Sequence, residues 1–69
     1  GNIDMIGYQI EIKFKRDSNE QFLRASISTD DYLNDDKLEE IVINISNVLK
    51  KIFSSSEIKI LETDIKLEE

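Results

Sequence analysis

The chain has no cysteine, histidine, proline or tryptophan, and only two glycines among 69 residues. Each absence removes a class of chemistry. Without Cys there is no disulfide to staple a small core and no thiolate to hold a structural metal. Without His as well, the commonest general base and the commonest zinc ligands are gone, together with the best nucleophile. With Gly1 and Gly7 alone, neither a Gly-rich phosphate loop nor a nucleophile elbow can be built. Long apolar runs are also missing, and none approaches the ~20 residues that a membrane-spanning helix needs. Basic residues are the minority, 9 Lys and Arg against 15 Asp and Glu for a net charge of -6. That balance opposes nucleic-acid binding, whose affinity comes mostly from neutralised phosphates. The expectation is a protein that is not an enzyme, with no cofactor, no metal, no nucleic-acid partner and no membrane partner.

What remains is the composition of a small folded domain, 39% hydrophobic and 35% charged, above the disordered range. A chain of this length makes a single domain spanning 1–69 and buries only about 60% of its unfolded surface, so its stability alone is marginal. It opens on Gly1 and Asn2 rather than Met, which suggests a piece processed or cut from a longer protein. The expected compartment is the cytoplasm, with a processed extracellular form as the alternative. Heavy use of Ile, Lys, Asn, Asp and Glu fits an AT-rich genome, so a bacterial or phage source is expected.

Helical periodicity is sustained in one stretch, Asp35 to Phe53. At about 100° per residue, Leu38, Ile41, Val42, Ile45, Val48, Leu49, Ile52 and Phe53 fall in one broad stripe, and Ile43 alone falls on the far side. Such a stripe is what a helix needs to cover a sheet. Asn34 or Asp36 supplies the N-cap, and Leu33 with Leu38 supplies a hydrophobic staple. Asp35, Asp36, Glu39 and Glu40 sit at the positive end of the helix dipole, Lys50 and Lys51 at the negative end. The triplet Ser54 to Ser56 ends the helix.

Strand periodicity appears three times. Tyr8 to Lys15 alternates strictly, placing Tyr8, Ile10, Ile12 and Phe14 on one face and Gln9, Glu11, Lys13 and Lys15 on the other. Ile6 continues the apolar face, Ile3, Met5 and Gly7 fall on the polar one, and Gly7 is expected to mark a bulge or the strand's start. Arg16 to Glu20 reads as the hairpin loop, and Gln21 to Thr29 as a second strand with Leu23, Ala25 and Ile27 inward. Phe22 breaks that phase and is expected at the hairpin end, covering an edge of the core. Tyr32 and Leu33 are expected to fold onto the core rim. Glu57 to Leu67 changes phase midway: Ile58 and Ile60 share one parity, Leu61, Ile65 and Leu67 the other. One extra residue around Leu61 to Thr63 makes this a bulged strand, preferred over a hairpin turning at Glu62 to Asp64, which lacks Gly or Asn.

The fold class that results is α+β, a β-β-α-β chain with a three-stranded, mainly antiparallel sheet in the order 2-1-3 and one helix over one face. The surplus apolar positions, Ile43, Met5, Leu61, Ile65 and Leu67, are the interaction candidates, expected largely on surface that the helix leaves open. They point to a homo-oligomer, or to the rest of a longer chain, as partner.

The acidic cluster Asp30, Asp31, Asp35, Asp36, Glu39 and Glu40 lacks the central Gly and the ligand spacing of a calcium loop and reads as capping and solvated charge. On the face of Lys13 and Lys15 no aromatic is expected to stack a base, and acidic Glu11 shares that face beside Lys13. Asn44-Ile45-Ser46 matches a glycosylation site but lies mid-helix. The leading function is therefore a non-enzymatic protein-interaction module that self-associates or docks through its sheet. The alternative is an acidic inhibitor or immunity-type protein, in one version a nucleic-acid mimic, that blocks a basic site on an enzyme.

Overall fold

The strict alternation from Tyr8 to Lys15 fixes the centre of the molecule. In the computed structural model, which describes residues 4–68, strand β1 (Ile6–Arg16) is flanked on both sides by partners. Its inward residues Tyr8, Ile10, Ile12 and Phe14 are all buried, and among the described residues only Leu49 joins them. Each such side chain contributes about 1.5–3 kcal/mol by leaving water. Gly7 sits in regular register one residue inside the start of β1, so of its two expected roles it marks the strand's start and no bulge. Ile3 lies outside the described residues.

Strand β2 (Asn19–Thr29) pairs antiparallel with β1, and Ile12 faces Leu23 while Ile10 faces Ala25 and Tyr8 faces Ile27. The hairpin is tighter than the expected loop. Arg16 pairs with Asn19, leaving only Asp17 and Ser18 to turn. Asp17 takes φ 56°, a left-handed conformation that Asp tolerates better than most residues. Its strain is offset by two bonds to the segment entering the third strand: the Asp17 N–H donates to the Glu57 carbonyl at 2.8 Å, and the Asp17 Oδ1 accepts from the Glu57 N–H at 3.0 Å. Phe22 does not cover the core. It stands opposite Lys13 on the outer face and is 52% exposed, since a strand running from Asn19 sends every even-numbered side chain outward.

Helix α1 (Asp35–Ile52) starts at Asn34, whose Oδ1 accepts from the Lys37 N–H at 2.9 Å, which settles the cap in favour of Asn34 over Asp36. The connection before it is tied to the core where the Leu33 N–H donates to the Tyr8 hydroxyl at 2.9 Å. Tyr32 departs from expectation and is 63% exposed, because Thr29 and Asp31 hold the turn by local bonds that point it outward. At the far end Phe53 caps the helix, its N–H donating to the Leu49 carbonyl at 3.1 Å. There Phe53 stacks near Phe14 with ring centroids 6.5 Å apart, and the Arg16 guanidinium lies 4.1 Å over the Phe53 ring. The Arg16 Nε also donates to the Ser56 Oγ at 3.2 Å.

Strand β3 (Ile58–Glu68) is one continuous strand, antiparallel to β1 on the side away from β2, so the sheet order is β2-β1-β3. Lys13 pairs with Glu62 and Phe14 with Ile60, so Leu61 is the extra residue and the bulge falls where the parity changes. The bulge has a consequence for facing. Ile10 pairs with Ile65 and Tyr8 with Leu67, so both residues share the inward face with Ile58 and Ile60. The expected placement of Ile65 and Leu67 on the outer face is thereby corrected.

The helical stripe is wider than the surface it covers. Three strands at ~4.8 Å spacing put the outer two only ~10 Å apart, about one helix diameter. Leu49, at the centre of the stripe, is 2% exposed, whereas Val48 and Ile52 on its flank are 52% and 67% exposed. α1 lies nearest β3. On the flank away from β3, Ile41 and Ile45 are half-buried while Val48 and Ile52 overhang the sheet, where a core position was expected for all of them.

Candidate interaction surfaces

Three surfaces remain open on this scaffold. The first is a cleft of about 360 Å³ between the N-terminal half of α1 and β3, lined by Tyr8, Leu38, Val42, Thr63, Ile65 and Leu67 with Asp35 and Glu39 at its rim. Its floor forms because the bulge turns Ile65 and Leu67 inward, onto the side of the sheet that faces Leu38 and Val42. Leu67 remains 46% exposed. An apolar floor with two carboxylates at the lip suits an apolar group that carries a positive charge.

The second is the outer face of the sheet, where charges alternate across the strands. Glu11 stands between Arg24 and Asp64, and Lys13 between Phe22 and Glu62. Lys15 lies between Glu20 and Lys59, and Gln9 between Ser26 and Lys66. The Arg24 Nε donates to the Glu11 Oε2 at 2.7 Å, and Lys13 Nζ lies 3.7 Å from Glu20 Oε2. The two signs are mixed across this face, so the acidic excess of the chain is carried mostly by Asp30, Asp31, Asp35, Asp36, Glu39 and Glu40 around the start of α1. Phe22 is the aromatic of this face, 5.6 Å from the Arg24 guanidinium.

The third is the free edge of β2. It runs the full length of an 11-residue strand without a bulge, and every second residue directs its N–H and C=O away from β1. Below it, Leu23, Ala25 and Ile27 are only half-buried, and the overhanging Val48 and Ile52 look onto the same side.

The interaction candidates read from the sequence do not converge. Ile43 stands alone on the outer side of α1 at 50% exposure. Met5 is 54% exposed and lines a separate hollow of about 480 Å³ with Asp4, Ile6, Tyr32 and Glu68. Leu61 is the bulged residue on the β3 edge, 39% exposed, and Ile65 and Leu67 belong to the cleft. What the sequence reading passed over as surface is Phe22, expected to cover an edge of the core, and Val48 and Ile52, placed in the core by helical periodicity. The signal was present for Phe22, since its even number already matched the outward set.

Among the described residues no group of Asp and Glu is arranged to hold a metal ion, and no helix is long and apolar enough to cross a membrane. No family model, no curated protein and no solved structure matches the chain.

Proposed function

We propose that this chain is a non-enzymatic protein-interaction module that engages its partner through the sheet. The observation that carries the reading is the long, regular, unpaired edge of β2 beside exposed Phe22. Unpaired backbone groups on a straight edge are a template for a further strand, and strand addition gives affinity through main-chain bonds. A core of five buried side chains among the described residues supports the same reading, because a monomer with so little burial gains from association. The test is position-resolved cross-linking in cells of the source organism. A photo-reactive residue placed at Phe22 should yield an adduct of defined mass, and one at Asn47 on the outer side of the helix should not. Adducts from Asn47 alone, or from neither, would remove the reading.

A second reading has its own support. The acidic residues gathered at one end of α1, two of them at the rim of the apolar cleft, favour a cationic protein surface, as an inhibitor of a basic site requires. Its mark is salt dependence. Neutralising Asp35, Asp36, Glu39 and Glu40 should release such a partner, whereas retention would exclude this mode.

A further inference from the structure

The two edges of the sheet differ, and the difference points to a partner. β3 is protected by the means that keep edges from pairing: a bulge at Leu61 and charged Lys59, Glu62, Asp64, Lys66 and Glu68 along the outer face. β2 has no bulge, and its outward side chains run Glu20, Phe22, Arg24, Ser26, Ser28. The order acid, aromatic, base is self-complementary when read in opposite directions.

We propose that β2 pairs antiparallel with β2 of a second copy about a two-fold axis at Phe22, joining two three-stranded sheets into one of six. This rests on the interaction-module reading and names its partner and register. With Phe22 opposite the partner copy's Phe22, each Glu20 stands opposite the other copy's Arg24, and the pair of rings is bracketed by two ion pairs. Offset-stacked aromatics and opposite charges directly across a ladder are both favourable. The donors are at hand. Arg24 uses its Nε for Glu11 at 2.7 Å, and a guanidinium has five N–H donors, so its terminal groups can take a second carboxylate. Glu20 is held only loosely by Lys13, at 3.7 Å.

Neighbouring registers are worse. Centring on Arg24 sets like charges against each other, and centring on Leu23 leaves Glu20 opposite Ser26. On the inner face of the seam, Leu23 of each copy is covered, and Val48 and Ile52 overlook the joint from the helix flank. Pairing through β3 instead must accommodate the bulge at Leu61, and centred on Ile65 it sets Glu68 against Glu62, which offsets the Lys66–Asp64 pairs it also forms.

The experiment is sedimentation of the full chain from ~10 µM to ~1 mM, with R24E, E20R and their equimolar mixture. In the proposed register each variant alone sets two like-charge pairs across the seam and should associate on the order of tenfold more weakly than the parent, or less still. Mixed, the two variants meet with opposite charges and should recover a dimer of near-parental affinity. Loss of folding cannot produce that recovery. A parent dimer whose variants associate equally well, or whose mixture gains nothing, overturns the register and leaves the interaction reading standing. A parent that stays monomeric to ~1 mM overturns the pairing altogether, and the cross-links at Phe22 then decide the interaction reading independently.

Discussion

The stripe on α1 contains two kinds of apolar residue that look alike in sequence, and substituting one of each separates them. Leu49 is 2% exposed and sits among the buried side chains of β1, whereas Ile52 is 67% exposed on the overhanging flank. Replacing a buried Leu by Ala removes transfer energy and leaves a cavity, for about 3 kcal/mol or more. Ile52→Ala removes little burial and should cost under ~1 kcal/mol. A domain of this size holds about 3–10 kcal/mol in all, and the small core places it toward the low end. With a urea slope of ~1 kcal/mol per molar, Leu49→Ala should lower the midpoint by ~3 M and erase the folded baseline. Ile52→Ala should move it by less than ~1 M. Far-UV circular dichroism in urea, at a concentration where the chain sediments as a monomer, reads both. Equal shifts for the two variants would refute the placement of α1 on the sheet.

Three further outcomes follow from local geometry. Tyr8→Phe deletes the acceptor of the Leu33 N–H and leaves that donor unpaired at a part-buried site, so it should cost about 1–3 kcal/mol in the same urea assay while ring packing is retained. Asp17→Asn keeps both a side-chain acceptor for the Glu57 N–H and tolerance of φ 56°, and should be close to neutral. Asp17→Ala loses both and should cost about 1–3 kcal/mol. Deleting Leu61 removes the residue with no partner across the ladder and should be tolerated within about 1 kcal/mol, whereas deleting Glu11 from β1 reverses the facing of half the central strand and should abolish the folded spectrum.

The chain order, the sheet order, the central strand and the bulged third strand were legible because each rests on period and parity, which are local properties. The change of parity between Ile60 and Leu61 was enough to place the extra residue. Three things were not legible. The loop after β1 read as five residues because Arg16 to Glu20 are all polar, and its tight turn depends on a bond from Asp17 to Glu57, forty residues on. Val48 and Ile52 read as core because periodicity reports the width of an apolar stripe and says nothing of how much sheet lies beneath it. Phe22 read as core because its size was given more weight than its position in the alternation. Among the candidates chosen because they fall out of phase, Ile43, Met5, Leu61 and Leu67 are exposed, while the bulge turns Ile65 and Leu67 to the inward face.

The small core and the open edge are linked. Five buried side chains among the described residues make a small core of marginal stability, and burial is added at low cost where the sheet can be extended. β3 is interrupted by the bulge at Leu61 and lined with charge, and α1 already covers β1 and leans toward β3. β2 is the side on which apolar surface is still half-covered and backbone groups still unpaired. If a second copy completes that side, each chain gains stability by mass action, about 1.6 kcal/mol at a total concentration 100 times the dissociation constant, where about 7% of the chain stays free. That gain is roughly half the loss assigned to Leu49→Ala. The variant that loses its folded baseline as a dilute monomer should therefore recover part of it at high concentration. The same variant combined with R24E should not, because the charge reversal closes the route by which association supplies the missing burial.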